Sequence, residues 1–77
     1  MDSKPYILVV EDDKIIRRFI TAALSAQNYK YIETDMGNEA VALAMSNNPD
    51  LVILDLGLPD IDGVQVISKI REWSKVP

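Results

Sequence analysis

Two stretches of uninterrupted apolar side chains, each running straight into acidic residues, most constrain what this chain can fold into. Tyr6-Ile7-Leu8-Val9-Val10 leads into Glu11-Asp12-Asp13, and Leu51-Val52-Ile53-Leu54 leads into Asp55. A run rich in β-branched residues, with no polar alternation, reads as a strand covered on both faces. Such strands belong to parallel sheets, whose crossovers place helices on the faces. Between the two runs, residues 14 to 27 carry Ile15, Ile16, Phe19, Ile20, Ala23 and Leu24 at helical spacing, with Lys14, Arg17, Arg18 and Thr21 on the other side. Gln27-Asn28 is a stop. Tyr29 to Thr34 reads as a weaker strand, interrupted by Lys30 and Glu33.

Asp35 to Asn38 offers turn and N-cap chemistry for a second helix with Ala40, Val41, Ala44 and Met45 on one face. Asn47-Asn48-Pro49-Asp50 breaks that helix. After the strand at 51–54, a loop from Asp55 to Asp62 contains Gly57 and Pro59, and Asp62 can cap a third helix from about Gly63 to Trp73. Val66, Ile67, Ile70 and Trp73 are expected to face inward. The order is βαβαβα, an α/β chain with right-handed crossovers. Its 77 residues suffice for one small domain, which buries only about 60% of the surface of the unfolded chain.

In an open parallel sheet, ligands bind beyond the carboxyl ends of the strands. Here those ends carry Glu11, Asp12 and Asp13 after the first strand and Asp55 after the third. Crowded carboxylates repel one another, and a divalent cation relieves the repulsion. The chain holds neither cysteine nor histidine, so a hard cation held by oxygen is favoured over zinc. A carboxylate beside such an ion can attack phosphorus and form an acyl phosphate. The plainer alternative is that acids at strand ends serve only solubility. The net charge of −4 argues against direct nucleic-acid binding, which needs clustered Lys and Arg. The longest apolar runs fall far short of the roughly 20 residues that span a bilayer. The start, Met1-Asp2-Ser3-Lys4-Pro5, has no apolar leader, so the expected location is cytoplasmic, with no membrane partner.

The segments Ile7 to Asp13, Leu51 to Asp60 and Asp62-Gly63 resemble the receiver domain of two-component response regulators, over essentially the whole chain and in order. The stretches Ile16 to Phe19, Leu54 to Asp60, Ile70 to Ser74 and Val76-Pro77 look more narrowly like regulators of potassium-transport (Kdp-type) systems. The resemblance implies a flavodoxin-like fold with sheet order 2-1-3. Residues 1–77 would form one partial receiver domain, lacking the last two β-α units. It implies that Asp55 accepts phosphate from a sensor histidine kinase, in a protein that normally controls transcription and is not itself an enzyme. It further implies Mg²⁺ bound at Glu11, Asp12, Asp55 and the backbone carbonyl of Gly57, with Asp12 a direct ligand and Glu11 acting largely through water. Pro59 and Gly63 would shape the loop and admit the next helix.

Asp13 reads as a helix cap rather than a ligand. Asp60-Ile61-Asp62-Gly63 is superficially like a calcium loop but lacks the further ligands and the glutamate. Arg17 and Arg18 read as a solvated face, on the helix that meets the kinase in this family. The family also carries a Ser or Thr after a fourth strand and a Lys after a fifth, beyond these residues. Impaired phosphorylation and switching are therefore expected. An apolar third strand at a sheet edge, with helix faces lacking cover, predicts a homo-oligomer. The alternative function is a non-phosphorylatable interaction or dimerisation module. A phosphatase of the haloacid-dehalogenase type would want a second Asp two residues after the nucleophile, where this chain has Gly57.

Overall fold

The computed structural model describes residues 4–77. The part of the leader reading that concerns Met1, Asp2 and Ser3 lies outside them. Six elements alternate: β1 (Tyr6–Val10), α1 (Lys14–Ala26), β2 (Lys30–Thr34), α2 (Gly37–Asn47), β3 (Leu51–Leu54) and α3 (Gly63–Arg71). The strands are all parallel, in the order β2-β1-β3. The parallel sheet is the one the alternating pattern implied, and its 2-1-3 order is the flavodoxin-like order that the resemblance implied.

β1 is the central strand, and Ile7, Leu8, Val9 and Val10 are all buried. Alternation along the strand splits them between two layers. Leu8 and Val10 join Ala40 and Ala44 of α2 and Val66 and Ile70 of α3 in one core. Ile7 and Val9 face the other side, where α1 packs on β1 and β2. The small Ala40 and Ala44, one turn apart, let α2 sit close to α3 and β1.

Loops follow local chemistry. Asp13 accepts from the backbone N–H groups of Ile15 (2.9 Å) and Ile16 (3.1 Å) and so caps α1. Asp62 accepts from Val64 N–H at 3.0 Å and caps α3. Asn28 (φ 62°) and Asn48 (φ 49°) follow α1 and α2 in the left-handed region, which asparagine tolerates better than most residues.

Three facings differ from the periodicity. In α1 the apolar stripe is broader than its contact with the sheet. Thr21 is buried, whereas Ile15 and Phe19 are 81% and 77% exposed and Ile16 is about half exposed. Arg17 is not simply solvated. Its Nε is paired with Glu33 Oε1 of β2 at 3.0 Å, and its Nη1 donates to the Glu11 carbonyl at 2.9 Å. That ties the Arg17 side of the helix to β1 and β2 and turns Ile15 and Phe19 away. In α2, Met45 is exposed. In α3 the buried residues are Gly63, Val66 and Ile70, whereas Ile67, and Trp73 just beyond the helix, stand partly in solvent. The outer edge of β3 is not wholly bare, because Val52 N–H donates to the Pro77 carbonyl at 2.9 Å. Among the described residues no helix is long and apolar enough to cross a membrane.

Candidate functional site

The register of the sheet decides which acids meet. Val10 pairs with Thr34 on one side and Leu54 on the other. The ladder continues one residue further: Glu11 N–H donates to the Thr34 carbonyl at 3.1 Å, and Asp55 N–H donates to the Val10 carbonyl at 2.9 Å. Glu11 and Asp55 therefore emerge side by side at the carboxyl ends of neighbouring strands. One carboxylate oxygen from each of Glu11, Asp12 and Asp55 lies within 4.8 Å of the other two. Asp13 is outside this trio, committed to the cap of α1.

The three carboxylates differ in their electrostatics. Partial burial raises Glu11 above the ordinary carboxylate range. The negative charges of Asp55 and Asp12 and a hydrogen bond shared with Asp55 push it the same way, against the lowering effect of Asp13 N–H. Asp55 moves the opposite way, chiefly because Gly57 N–H donates to its Oδ1 at 3.2 Å. Asp55 is thus kept ionised while Glu11 is the member that holds a proton more readily. An all-oxygen donor set of three converging carboxylates suits a hard divalent cation.

The loop after Asp55 is shaped by one glycine more than the other. A Cβ at Gly57 would stand 4.0 Å from Asp55 Oδ1, an ordinary contact. At Gly63 it would fall 2.6 Å from Leu56 Cα and 3.0 Å from the Asp55 carbonyl oxygen. Gly63 thus lets the start of α3 lie against the backbone that carries Asp55. Asp60 and Asp62, dismissed above as a calcium loop, serve two different helices. Asp62 caps its own, α3, while Asp60 reaches back to α2. Its Oδ1 accepts from Gly37 N–H and its Oδ2 from Asn38 N–H, each at 2.7 Å. The cap expected locally from Asp35 to Asn38 comes instead from this distant residue. The N-cap position proper is Met36, which has no side-chain bond to give. Arg17, expected from the sequence to belong to a solvated face, instead steadies the Glu11 carbonyl. Its only signal in the sequence was a charge opposite in sign to Glu33.

Comparison with known proteins agrees with this geometry. Residues 7–77 match the response regulator receiver domain family. Over 71 residues the chain is 44% identical to the KDP operon transcriptional regulatory protein KdpE of Escherichia coli K12, covering 92% of this chain and 32% of that protein. It is 42% identical to the transcriptional regulatory protein SrrA of Staphylococcus aureus, covering 92% of this chain and 30% of that one. The chain thus spans about a third of the length of these curated relatives. Among solved structures, the N-terminal domain of a response regulator receiver protein from Methanoculleus marisnigri superposes with a TM-score of 0.87 at 28% identity, covering 96% of this chain and 60% of that one. The BeF3-activated receiver domain of Klebsiella pneumoniae RstA gives 0.86 at 30% identity, covering 91% and 60%. By its fold, its strand-end acids and these matches, the chain belongs to the response regulator receiver domain family.

Proposed function

We propose that Asp55 is the phosphoacceptor of a two-component relay, taking its phosphoryl group from the phosphohistidine of a sensor histidine kinase in a protein that regulates transcription. The observation that carries this reading is the meeting of Glu11, Asp12 and Asp55 at adjoining strand ends. Asp12, Asp55 and the Gly57 carbonyl would hold Mg²⁺ directly, with Glu11 acting largely through water. When bound, Mg²⁺ offsets the crowded negative charge and that of the incoming phosphoryl oxygens. The chain's own groups do the rest. Gly57 N–H fixes Asp55 Oδ1 and keeps the carboxylate ionised. An Asp55 oxygen forms the new bond to phosphorus while the P–N bond of the donor, protonated on its other ring nitrogen, breaks, leaving an acyl phosphate and a neutral imidazole that keeps that proton. The Klebsiella receiver is named as BeF3-activated, and BeF3 has the size and charge of a phosphoryl group, which favours this reading.

The test is intact mass after incubation with a small acyl-phosphate donor and Mg²⁺. One phosphoryl adduct should form, and chelation of Mg²⁺ should prevent it. A folded chain that gains no mass would contradict the proposal.

The exposed Ile15 and Phe19 favour a second role, self-association through the uncovered side of α1. Replacing both with Ser should change stability little, by roughly 0.5 kcal/mol or less per site, because neither side chain is buried. The same change should remove a concentration-dependent rise in mass seen by light scattering. A wild-type chain that stays monomeric at high concentration would dispose of this second role.

A further inference from the structure

The segment between Asp55 and α3 is fastened at three points. Gly63 N–H donates to the Leu56 carbonyl at 3.0 Å, Asp62 caps α3, and Asp60 closes on two N–H groups of α2. Only the last leaves the β3–α3 unit. We propose that Asp60 is a positioning residue for the phosphoacceptor site, holding the loop that carries Gly57 against the N-terminus of α2. This inference rests on the reading of Asp55, Asp12 and Gly57 as the metal site.

Four observations support it. A single carboxylate bridges two successive amides, so both of its oxygens are committed and its orientation is set. The same donors, Asn38 N–H foremost, hold its carboxyl below the ordinary value, so it is charged and complements the positive end of the helix. The contact is close-fitting. A Cβ at Gly37 would meet Ile61 Cγ1 at 2.6 Å, Val66 Cγ2 at 3.0 Å and Asp60 Oδ1 at 3.2 Å. Finally, α2 has no cap of its own, since Met36 lies at the N-cap with extended backbone (φ −124°, ψ 134°) and no side-chain bond. A local serine or aspartate would cap the helix as well as Asp60 does. What a local residue would not do is bind the helix to the loop. A loop carbonyl serving as a metal ligand gains from such support, because a ligand left free to wander loses affinity.

The experiment separates capping from tethering. Asp60→Ala removes both. Adding Met36→Ser restores a local cap, a hydroxyl that can accept from an N–H of the first turn of α2, but leaves the loop untied. Met36 is 41% exposed, so its own replacement disturbs little. Mg²⁺ affinity is read by calorimetry with Mg²⁺ alone, adduct formation by intact mass, and stability by thermal unfolding. Asp60→Ala should weaken Mg²⁺ binding and slow the adduct by about tenfold or more, the scale set by supporting partners of metal ligands. In the double variant the melting temperature should recover while Mg²⁺ affinity stays low. Recovery of Mg²⁺ affinity along with stability would overturn the proposal and leave Asp60 a cap only. So would an Asp60→Ala chain that binds Mg²⁺ within twofold of wild type. If Asp60→Ala alone does not fold, the recapped double variant decides. A wild-type chain that takes up no Mg²⁺ at all would sink the underlying site assignment, and this proposal with it.

Discussion

Asp55→Asn is expected to abolish the phosphoryl adduct completely while leaving the stability of the fold close to that of wild type. The amide keeps the shape of the side chain and an oxygen that can accept from Gly57 N–H, whose bond to Asp55 Oδ1 is 3.2 Å. What it loses is the anionic oxygen that attacks phosphorus. The stability half follows from Glu11 and from Asp55 itself. The pKa of Glu11 is raised in the folded state, mainly by burial and partly by the charges of Asp55 and Asp12. A carboxyl raised on folding is destabilising once it is ionised, that is, as pH rises above its unfolded value. Removing the charge of Asp55 relieves part of that penalty. It also gives up the stabilisation of the ionised Asp55 by Gly57 N–H, which lowers its pKa on folding, so the two effects oppose each other. Thermal unfolding and intact mass on the same sample check both halves. An adduct that persists on the variant would move the acceptor to another carboxylate. A variant that melts well below wild type would show that Asp55 has a structural partner not accounted for.

Gly63→Ala carries the largest expected loss of stability among the single changes considered. The added methyl would meet Leu56 Cα at 2.6 Å and Leu56 Cδ2 at 2.9 Å. The side-chain atom can move, but the Cα belongs to the backbone that runs on from Asp55. Overpacking of this kind costs about 1–3 kcal/mol, and a rigid backbone neighbour places it toward the upper end. A domain of this length has only roughly 4–12 kcal/mol in hand. Because the strain falls on the segment that carries Asp55 and Leu56, adduct formation should slow as well. Gly57→Ala is the matched control. Its methyl would find Asp55 Oδ1 at 4.0 Å, and Gly57 does not have positive φ. The two midpoints in a denaturant titration should therefore differ clearly, with Gly57→Ala near wild type. Equal midpoints would mean that the loop can move away from α3 at little cost.

What was legible in the sequence was whatever a few neighbouring residues decide. β1 and β3 announce themselves because four or five consecutive apolar residues admit almost no other placement. Asp13 and Asp62 were legible as caps because a cap bonds its own helix two or three residues on. The meeting of Glu11, Asp12 and Asp55 followed from strand order once β1 and β3 were taken as neighbours. The misjudged features depend on contacts distant in the chain. Periodicity marks the apolar side of α1 but not how far round that side the sheet reaches. Arg17 settles that by pairing with Glu33, sixteen residues away. Met45 and Ile67 share their helices' apolar faces with Ala44 and Val66, and only the packing of α2 on α3 decides which of each pair is covered. Asp60 caps a helix that begins 23 residues earlier, and no local pattern could have signalled it.

The unequal cover of the two sheet faces bears on how the molecule breathes. On one side, Leu8 and Val10 are sealed by two mutually packed helices. On the other, α1 stands alone, with Thr21 its one buried residue and Ile15 and Phe19 in solvent. Helix segments with few buried apolar contacts open at a fraction of the global free energy. Backbone amides in the middle of α1 should therefore exchange with deuterium well before those of β1 or of α3 around Val66. Uniform protection across all three would show that α1 opens only with the whole domain. Asp13, the cap of α1, adjoins Glu11 and Asp12, so each such opening would release one border of the acidic cluster. A ligand that ties Glu11 and Asp12 to Asp55 would then be felt as slower exchange along a helix it never touches.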